Sequence, residues 1–283
     1  MARYGLVCDI EKCCGCYACF LSCRDEFSGK DHLPTAASQE NGQLWLNVEE
    51  IEYGEGSKIK VDYFPKMCQH CADPLCARNA PEGAVYKRDD GIVIIDPVKA
   101  KGEKGIVNNC PYGVVVWNEA RSLPQKCTLC AHMLDAGEKT VRCVECCPTG
   151  ALIFGDLDDP DSEVSRIIRE KEELAEAWMP ENGTEPGCRY ISMPKPFLAG
   201  EVLFKDNPGE PAKGISLTLK DNFGNALDTV TDCFGDFEFK RLEKDQTYTL
   251  HVEAPGYMDF SCVVDFKDSV NLGEIALIPS SRA

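Results

Sequence analysis

The chain has 283 residues, a formal net charge of −17 and 43% hydrophobic residues. That length suits about two domains, the apolar content excludes global disorder, and the acidic balance excludes a basic nucleic-acid or anionic-membrane surface. No apolar run approaches the roughly 18 residues of a spanning helix, and Met1-Ala2-Arg3-Tyr4 lacks the apolar core of a signal peptide. The departure from average is cysteine: 18 in all, 15 of them before residue 150. Tight clusters on a chain read as unexported imply a reducing, cytoplasmic compartment. There, clustered thiols hold metal more often than they form disulfides.

Residues 1–155 carry four cysteine groups separated by short strand-like pieces, with no long helical period. The first group is Cys13-x2-Cys16-x2-Cys19-x3-Cys23. Three thiolates spaced by two residues wrap one face of a [4Fe–4S] cube, and the fourth serves the other cluster of a two-cluster ferredoxin. Zinc, held by two separated knuckles, fits four cysteines within eleven residues poorly. The second group, Cys68-x2-Cys71-x4-Cys76, is followed by Ala80-Pro81 where a Cys-Pro would complete the motif. Ala84–Asp96 reads as a hairpin turning at Asp90-Gly91. Cys110-Pro111 is then a terminal Cys-Pro with no triplet before it, and Gly113–Asn118 reads as a strand.

The last group is Cys127-x2-Cys130-x12-Cys143-x3-Cys147-Pro148, followed by a strand at Ala151–Gly155. Crosswise ligation assigns Cys13, Cys16, Cys19 and Cys147 to one cluster and Cys127, Cys130, Cys143 and Cys23 to a second. The two defects in the middle would both strip one cluster of its ligands, leaving Cys68, Cys71, Cys76 and Cys110 as a complete third set. Cys146 directly precedes Cys147, so either thiol can be the ligand. The position three residues after Cys143 and before Pro148 favours Cys147. Cys8, Cys14, Cys146, Cys188, Cys233 and Cys262 are read as non-ligands. His70 and His132, each beside a ligand cysteine, are read as hydrogen-bonding or surface residues, and Trp45 and Trp117 as packing or interface residues.

Residues 156–196 read as an acidic connector, since Asp156–Pro186 holds 11 Asp/Glu against 3 Lys/Arg, a net of −8. Asp159-Pro160 looks like a helix start, and Val164, Ile167, Ile168, Leu174, Ala175 and Trp178 recur at helical spacing up to Met179-Pro180. From 197 to 283, β-rich runs at Glu201–Phe204, Gly214–Lys220, Gly235–Phe239, Thr247–Glu253 and Ser261–Phe266 alternate with turn residues. That is the pattern of a small all-β sandwich or barrel. The expected fold class is α+β, with duplicated bacterial ferredoxin-like modules followed by this β-domain, of transthyretin or carboxypeptidase-regulatory type.

The layout of residues 1–155 resembles the four-cluster iron–sulfur subunits that partner molybdopterin enzymes of the dimethyl-sulfoxide-reductase family, with one cluster deleted. CPYGVVVWNE at 110–119, KCTLCAHML at 126–134, TDCFGDFEFKRL at 231–242 and the appended β-domain make the whole chain similar to small subunits of transhydroxylases. The type in question acts on polyhydroxylated aromatics such as pyrogallol and phloroglucinol. The resemblance implies an electron-transfer subunit with three [4Fe–4S] clusters, and no catalytic residue of its own. It also implies a large partner subunit carrying molybdopterin guanine dinucleotide with Mo or W. The residues agree, for no P-loop, dinucleotide fingerprint or activated nucleophile is found, and no three-cysteine set is left over for an open iron. A related reductive dehydroxylase, a free-standing polyferredoxin with a binding β-domain, and purely structural clusters are the competing readings.

Overall fold

The computed structural model describes residues 2–39, 44–207 and 209–280; Met1 of the N-terminal stretch lies outside the described residues. Two compact units result, Met1–Glu50 with Asp62–Met193, and Ile51–Val61 with Pro194–Ala283. Strand outweighs helix in both. No helix among the described residues is long and apolar enough to cross a membrane.

In the first unit the central strand is β1 (Tyr4–Asp9), buried along nearly its whole length, as its apolar run demands. It pairs antiparallel with β8 (Leu152–Asp156) and parallel with β10 (Cys188–Ile191), and β10 carries β9 (Ala175–Glu176) on its outer edge. Residues 156–196 are therefore no separate connector, because β9 and β10 complete the sheet that β1 begins. The helix there, α5 (Glu163–Glu170), is also shorter than the apolar spacing predicts. Its cap is Ser162, whose hydroxyl accepts from the Ser165 N–H at 3.2 Å, and not Asp159. It stops at Lys171, whose ammonium pairs at 2.7 Å with the buried Asp9 of β1. This tertiary ion pair outweighs the helical period, and Trp178 packs instead on the rings of Phe64 and Tyr112.

The other elements of this unit are short. α1 (Ala18–Phe27) carries Cys19 and Cys23 of the first cysteine group and was not legible as a helical period. The predicted hairpin is β4 (Val85–Lys87) against β5 (Val93–Ile95), with Val85 opposite Ile95 and Gly91 in the left-handed turn. α2 (Gly105–Asn108) leads to the hairpin of β6 (Val116–Asn118) and β7 (Leu123–Gln125). α3 (Ala131–Asp135) and α4 (Arg142–Glu145) follow the last cysteine group.

A long hairpin, β2 (Leu46–Glu55) and β3 (Lys58–Met67), has its tip, Ile51–Val61, in the second unit. Gly54 turns it with φ +102°, and a Cβ there would lie 2.2 Å from the Lys58 carbonyl, so only glycine fits. The rest of the second unit is two sheets. One orders β11 (Leu198–Phe204) between β14 (Asp236–Phe239) and β17 (Val270–Leu277). The other runs β13 (Ala226–Val230), β12 (Ser216–Asp221), β15 (Gln246–Glu253), β16 (Phe260–Phe266). β13 and β17 are additional to the strands expected from sequence. Alternate residues point inward, Leu217 and Leu219 from β12 and Tyr248, Leu250 and Val252 from β15, into one core shared with Val202, Phe237 and Ile275. Each such buried side chain contributes about 1.5–3 kcal/mol.

The hairpin tip is held within this unit by the Lys58–Asp236 pair at 2.6 Å, by Lys60 with Glu238, and by Tyr53 against the Phe197 ring. All twelve candidate ligand cysteines, in contrast, belong to the first unit. A chain ending near Pro196 should therefore keep the iron–sulfur absorbance per chain of the full protein. Disappearance of every cluster on truncation would show instead that the second unit holds the ligand-bearing unit together.

Candidate iron–sulfur cluster sites

Each cysteine triplet begins with the same local device. Two residues after its first cysteine the backbone turns left-handed, at Gly15 (φ +64°), His70 (φ +43°) and Leu129 (φ +48°). The N–H of that residue then points back at the cysteine sulfur: His70 to Cys68 and Leu129 to Cys127, both at 3.4 Å, and Gly15 to Cys13. Such turns are strained for non-glycine residues, and their recurrence at three thiols marks a functional constraint. At Gly15 a side chain is also excluded sterically, since a Cβ would meet the Tyr63 ring at 2.3 Å.

The candidate thiols influence one another through their charges. Burial raises the Cys13 thiol, and its neighbours Cys147 and Cys16 add to this; Cys19 is pushed up to about 12 by burial, with Cys146, Cys13 and Cys147 as the next thiols. Cys23 is raised by burial and then by Cys127 and Cys130, and the same two, with Cys23, press on the buried Cys143. Burial pushes Cys71 up to about 11, with Cys68 and Cys110 adding to it, and pushes Cys76 up to about 12, with Cys68, Cys110 and Cys71 adding to it. Many of these influences fall within the three sets that crosswise ligation expects. They also form a series: Cys19 of one set acts on Cys23 of the next, and Cys68 of the third acts on Cys127 of the second.

Cys146 and Cys147 separate by chemistry. The Cys146 sulfur is 2.9 Å from the Ser22 hydroxyl and 3.5 Å from the Cys143 carbonyl, although it also lies near enough to Cys19 to raise it. Burial would raise Cys147, but the N–H groups of Leu152, Ala151 and Thr149 and the Thr149 hydroxyl converge on its sulfur and bring it below the usual thiol range. Donors gathered on one sulfur stabilise a thiolate, the form that binds iron. At Cys19, Cys23, Cys71, Cys76, Cys127, Cys130 and Cys143 burial raises the thiol, so iron binding there must release protons and couples cluster assembly to folding.

Two further observations fit clusters in these sets. His70 Nδ1 accepts from the Val93 N–H at 3.1 Å, so the ring proton is on Nε2, which is buried without a protein partner. The Thr128 hydroxyl, between Cys127 and Cys130, is likewise buried and unpartnered. Buried donors beside ligand cysteines suit sulfur acceptors, and each such orphan in a native fold needs an explanation of this kind. Where the sequence lacks a fourth set, Ala80 packs against an apolar cluster of Ala84, Val85, Ile95, Ala100 and Ile106.

Of the other cysteines, Cys8 feels Cys19, Cys13 and Cys147, and Cys188 feels Cys68, Cys127 and Cys71. Cys8 and Cys188 are buried on β1 and β10, Cys14 and Cys233 are exposed, and Cys262 is half-buried. Trp45 is buried against Phe27, and Trp117 lies under the Lys104 ammonium. His132 donates from Nε2 to Glu26 Oε1 at 2.9 Å and stacks on His32 at 4.1 Å between ring centres. The donor atoms of Glu26, His32 and His132 lie within 4.8 Å of one another, a spacing that could suit a metal ion. Arg142 already occupies the second carboxylate oxygen at 2.9 Å, which makes the trio an ion-pair network.

Comparison with known proteins agrees with this chemistry. A family model described as a 4Fe-4S dicluster domain matches residues 59–157. The pyrogallol hydroxytransferase small subunit of Pelobacter acidigallici is 35% identical, over 98% of this chain and all of the relative. A sulfite dehydrogenase subunit of Allochromatium vinosum is 37% identical over 74% of this chain and 92% of its own length. A tetrathionate reductase subunit of Salmonella typhimurium is 31% identical over 69% and 75%.

Proposed function

The chain belongs to the iron–sulfur electron-transfer subunits of the molybdopterin oxidoreductases, and on that premise we propose that it holds three [4Fe–4S] clusters and relays electrons for a large catalytic partner. The observation that supports this reading is the left-handed turn repeated two residues after Cys13, Cys68 and Cys127, with the N–H of that residue aimed at the cysteine sulfur each time. Cys13, Cys16, Cys19 and Cys147 hold the first cluster, Cys23, Cys127, Cys130 and Cys143 the second, and Cys68, Cys71, Cys76 and Cys110 the third. A bound cluster supplies one-electron uptake and release. The protein supplies the thiolates, the N–H donors that tune them, and walls that keep water from the sulfurs. The alanine at position 80 and the lack of a cysteine triplet before Cys110 support three clusters and not four. Duplicated ferredoxin-like modules account for the repeated left-handed turn after each leading cysteine.

Molybdopterin guanine dinucleotide, with Mo or W, and every catalytic residue belong to the partner in this reading. Similarity along 98% of the chain to a pyrogallol hydroxytransferase small subunit, against 74% and 69% for the dehydrogenase and reductase subunits, favours a partner acting on polyhydroxylated aromatics. The compartment is cytoplasmic. Transhydroxylation is redox-neutral overall, so the clusters then serve activation of the partner more than steady turnover.

Anaerobic affinity purification tests the assembly. A large molybdenum- or tungsten-containing chain should accompany this one in equal amount. Recovery of the fully iron-loaded chain alone, from cells that express both, would favour the free-standing polyferredoxin.

A further inference from the structure

Lys126 is 2% exposed, yet it makes no ion pair with any carboxylate among the described residues. Its ammonium donates to the carbonyl of Val93 and, at 3.1 Å, to that of Cys127. A cation removed from water with only neutral acceptors is costly unless opposite charge lies close by. The ligand cysteines are the groups around it that carry negative charge once a cluster is bound: Cys127 is its neighbour in sequence, and Val93, whose carbonyl it reaches, packs in one buried cluster with Cys76 and Cys110. The peptide of Val93 fixes the arrangement, for its carbonyl accepts from Lys126 while its N–H donates to His70. His70 is therefore a neutral ring with its one N–H free, which adds a second positive dipole beside Cys68 and Cys71.

We infer that Lys126 is the internal counter-ion of the two clusters held by Cys68, Cys71, Cys76 and Cys110 and by Cys23, Cys127, Cys130 and Cys143, and that it raises their reduction potentials above the value they would otherwise have. The inference rests on the three-cluster reading. Reducing a cluster adds one negative charge, so a fixed cation in a low-dielectric interior stabilises the reduced form more than the oxidised one. Among the described residues, no ligand of the Cys147 cluster is a hydrogen-bond partner of Lys126. Buried charge is little screened, so added salt should not abolish the effect. Lys126 is a positioning residue for charge and touches no substrate.

The test is a mediated redox titration of the full, cluster-loaded chain, followed by low-temperature spin resonance. It compares the wild type with Lys126→Met, Lys126→Gln and Lys126→Arg. About twelve irons per wild-type chain establish the underlying reading independently of any potential. In the neutral variants, the ratio of reduced to oxidised Cys76 cluster at a fixed potential should fall at least tenfold, about 59 mV for a one-electron couple. The Cys127 cluster should shift the same way, the Cys147 cluster should move less than either, and Lys126→Arg should stay near wild type. Loss of the Cys76 cluster from the neutral variants alone would support the same charge requirement. Unchanged ratios in an iron-replete neutral variant would overturn the inference, as would an equal shift of all three clusters. Failure of Lys126→Arg together with the neutral variants would overturn it too, because shape and not charge would then be at stake.

Discussion

Replacing Cys110 by Ala should lower the iron content from about twelve per chain to about eleven if a three-iron remnant survives, or to about eight if the cube is lost. Cys110 stands 34 residues beyond Cys76 with no cysteine near it in sequence. Its bland reading is an ordinary buried thiol before a turn. The fold argues otherwise. Burial raises the Cys110 thiol, the N–H groups of Val114, Tyr112 and Val115 oppose this, and Cys68 is the thiol that acts on it. A buried hydrophobic cysteine would not need three backbone donors aimed at its sulfur. The spin-resonance signals of the other two clusters should persist in this variant. Cys147→Ala should instead damage the cluster of Cys13, Cys16 and Cys19. Sixteen irons in the wild type, or an intact third cluster in Cys110→Ala, would sink the assignment.

The ligand groups were legible because a compact cluster forces its ligands into fixed local spacings, and because Cys-Pro marks the closing ligand even when it stands alone, as at Cys110. What was not legible depends on tertiary contacts. The apolar positions of α5 continue past Lys171, but the helix stops where Lys171 turns to reach Asp9, 162 residues away. α1 shows no clear apolar stripe, since two of its three buried positions, one turn apart, are Cys19 and Cys23. The β2–β3 hairpin did leave a signal, the alternation of Leu46 and Val48 and the turn residues from Gly54 to Gly56, but it carries no cysteine. Lys126 is harder still. A lysine reads as a surface residue, and only the buried run Leu123–Cys130 around it betrays that this one is inside.

Glu26→Gln should make the cluster of Cys23, Cys127, Cys130 and Cys143 the first to be lost, although Glu26 is no ligand. It lies one helical turn beyond Cys23 on α1. Its Oε1 accepts from His132, two residues after Cys130, and its Oε2 from Arg142, directly before Cys143, both at 2.9 Å. One carboxylate thus braces three of the segments that carry this cluster. Burial alone would raise its pKa, but the His132 and Arg142 hydrogen bonds hold it below the ordinary glutamate range. A carboxamide keeps one acceptor oxygen and turns its NH2 against a donor. Hydrogen bonds to charged groups are worth about 1.5–3 kcal/mol, and the half-exposed Arg142 places this one toward the lower end. Because the folded pKa is depressed, the stabilisation is present above the unfolded value of about 4.3 and fades as the pH falls through the folded value. Chelator-driven iron release at neutral pH should therefore run several-fold faster in Glu26→Gln, levelling first near eight irons, with the difference from wild type closing below pH about 4. Equal release rates at pH 7, or simultaneous loss of all three clusters, would show that the brace does not act on this site.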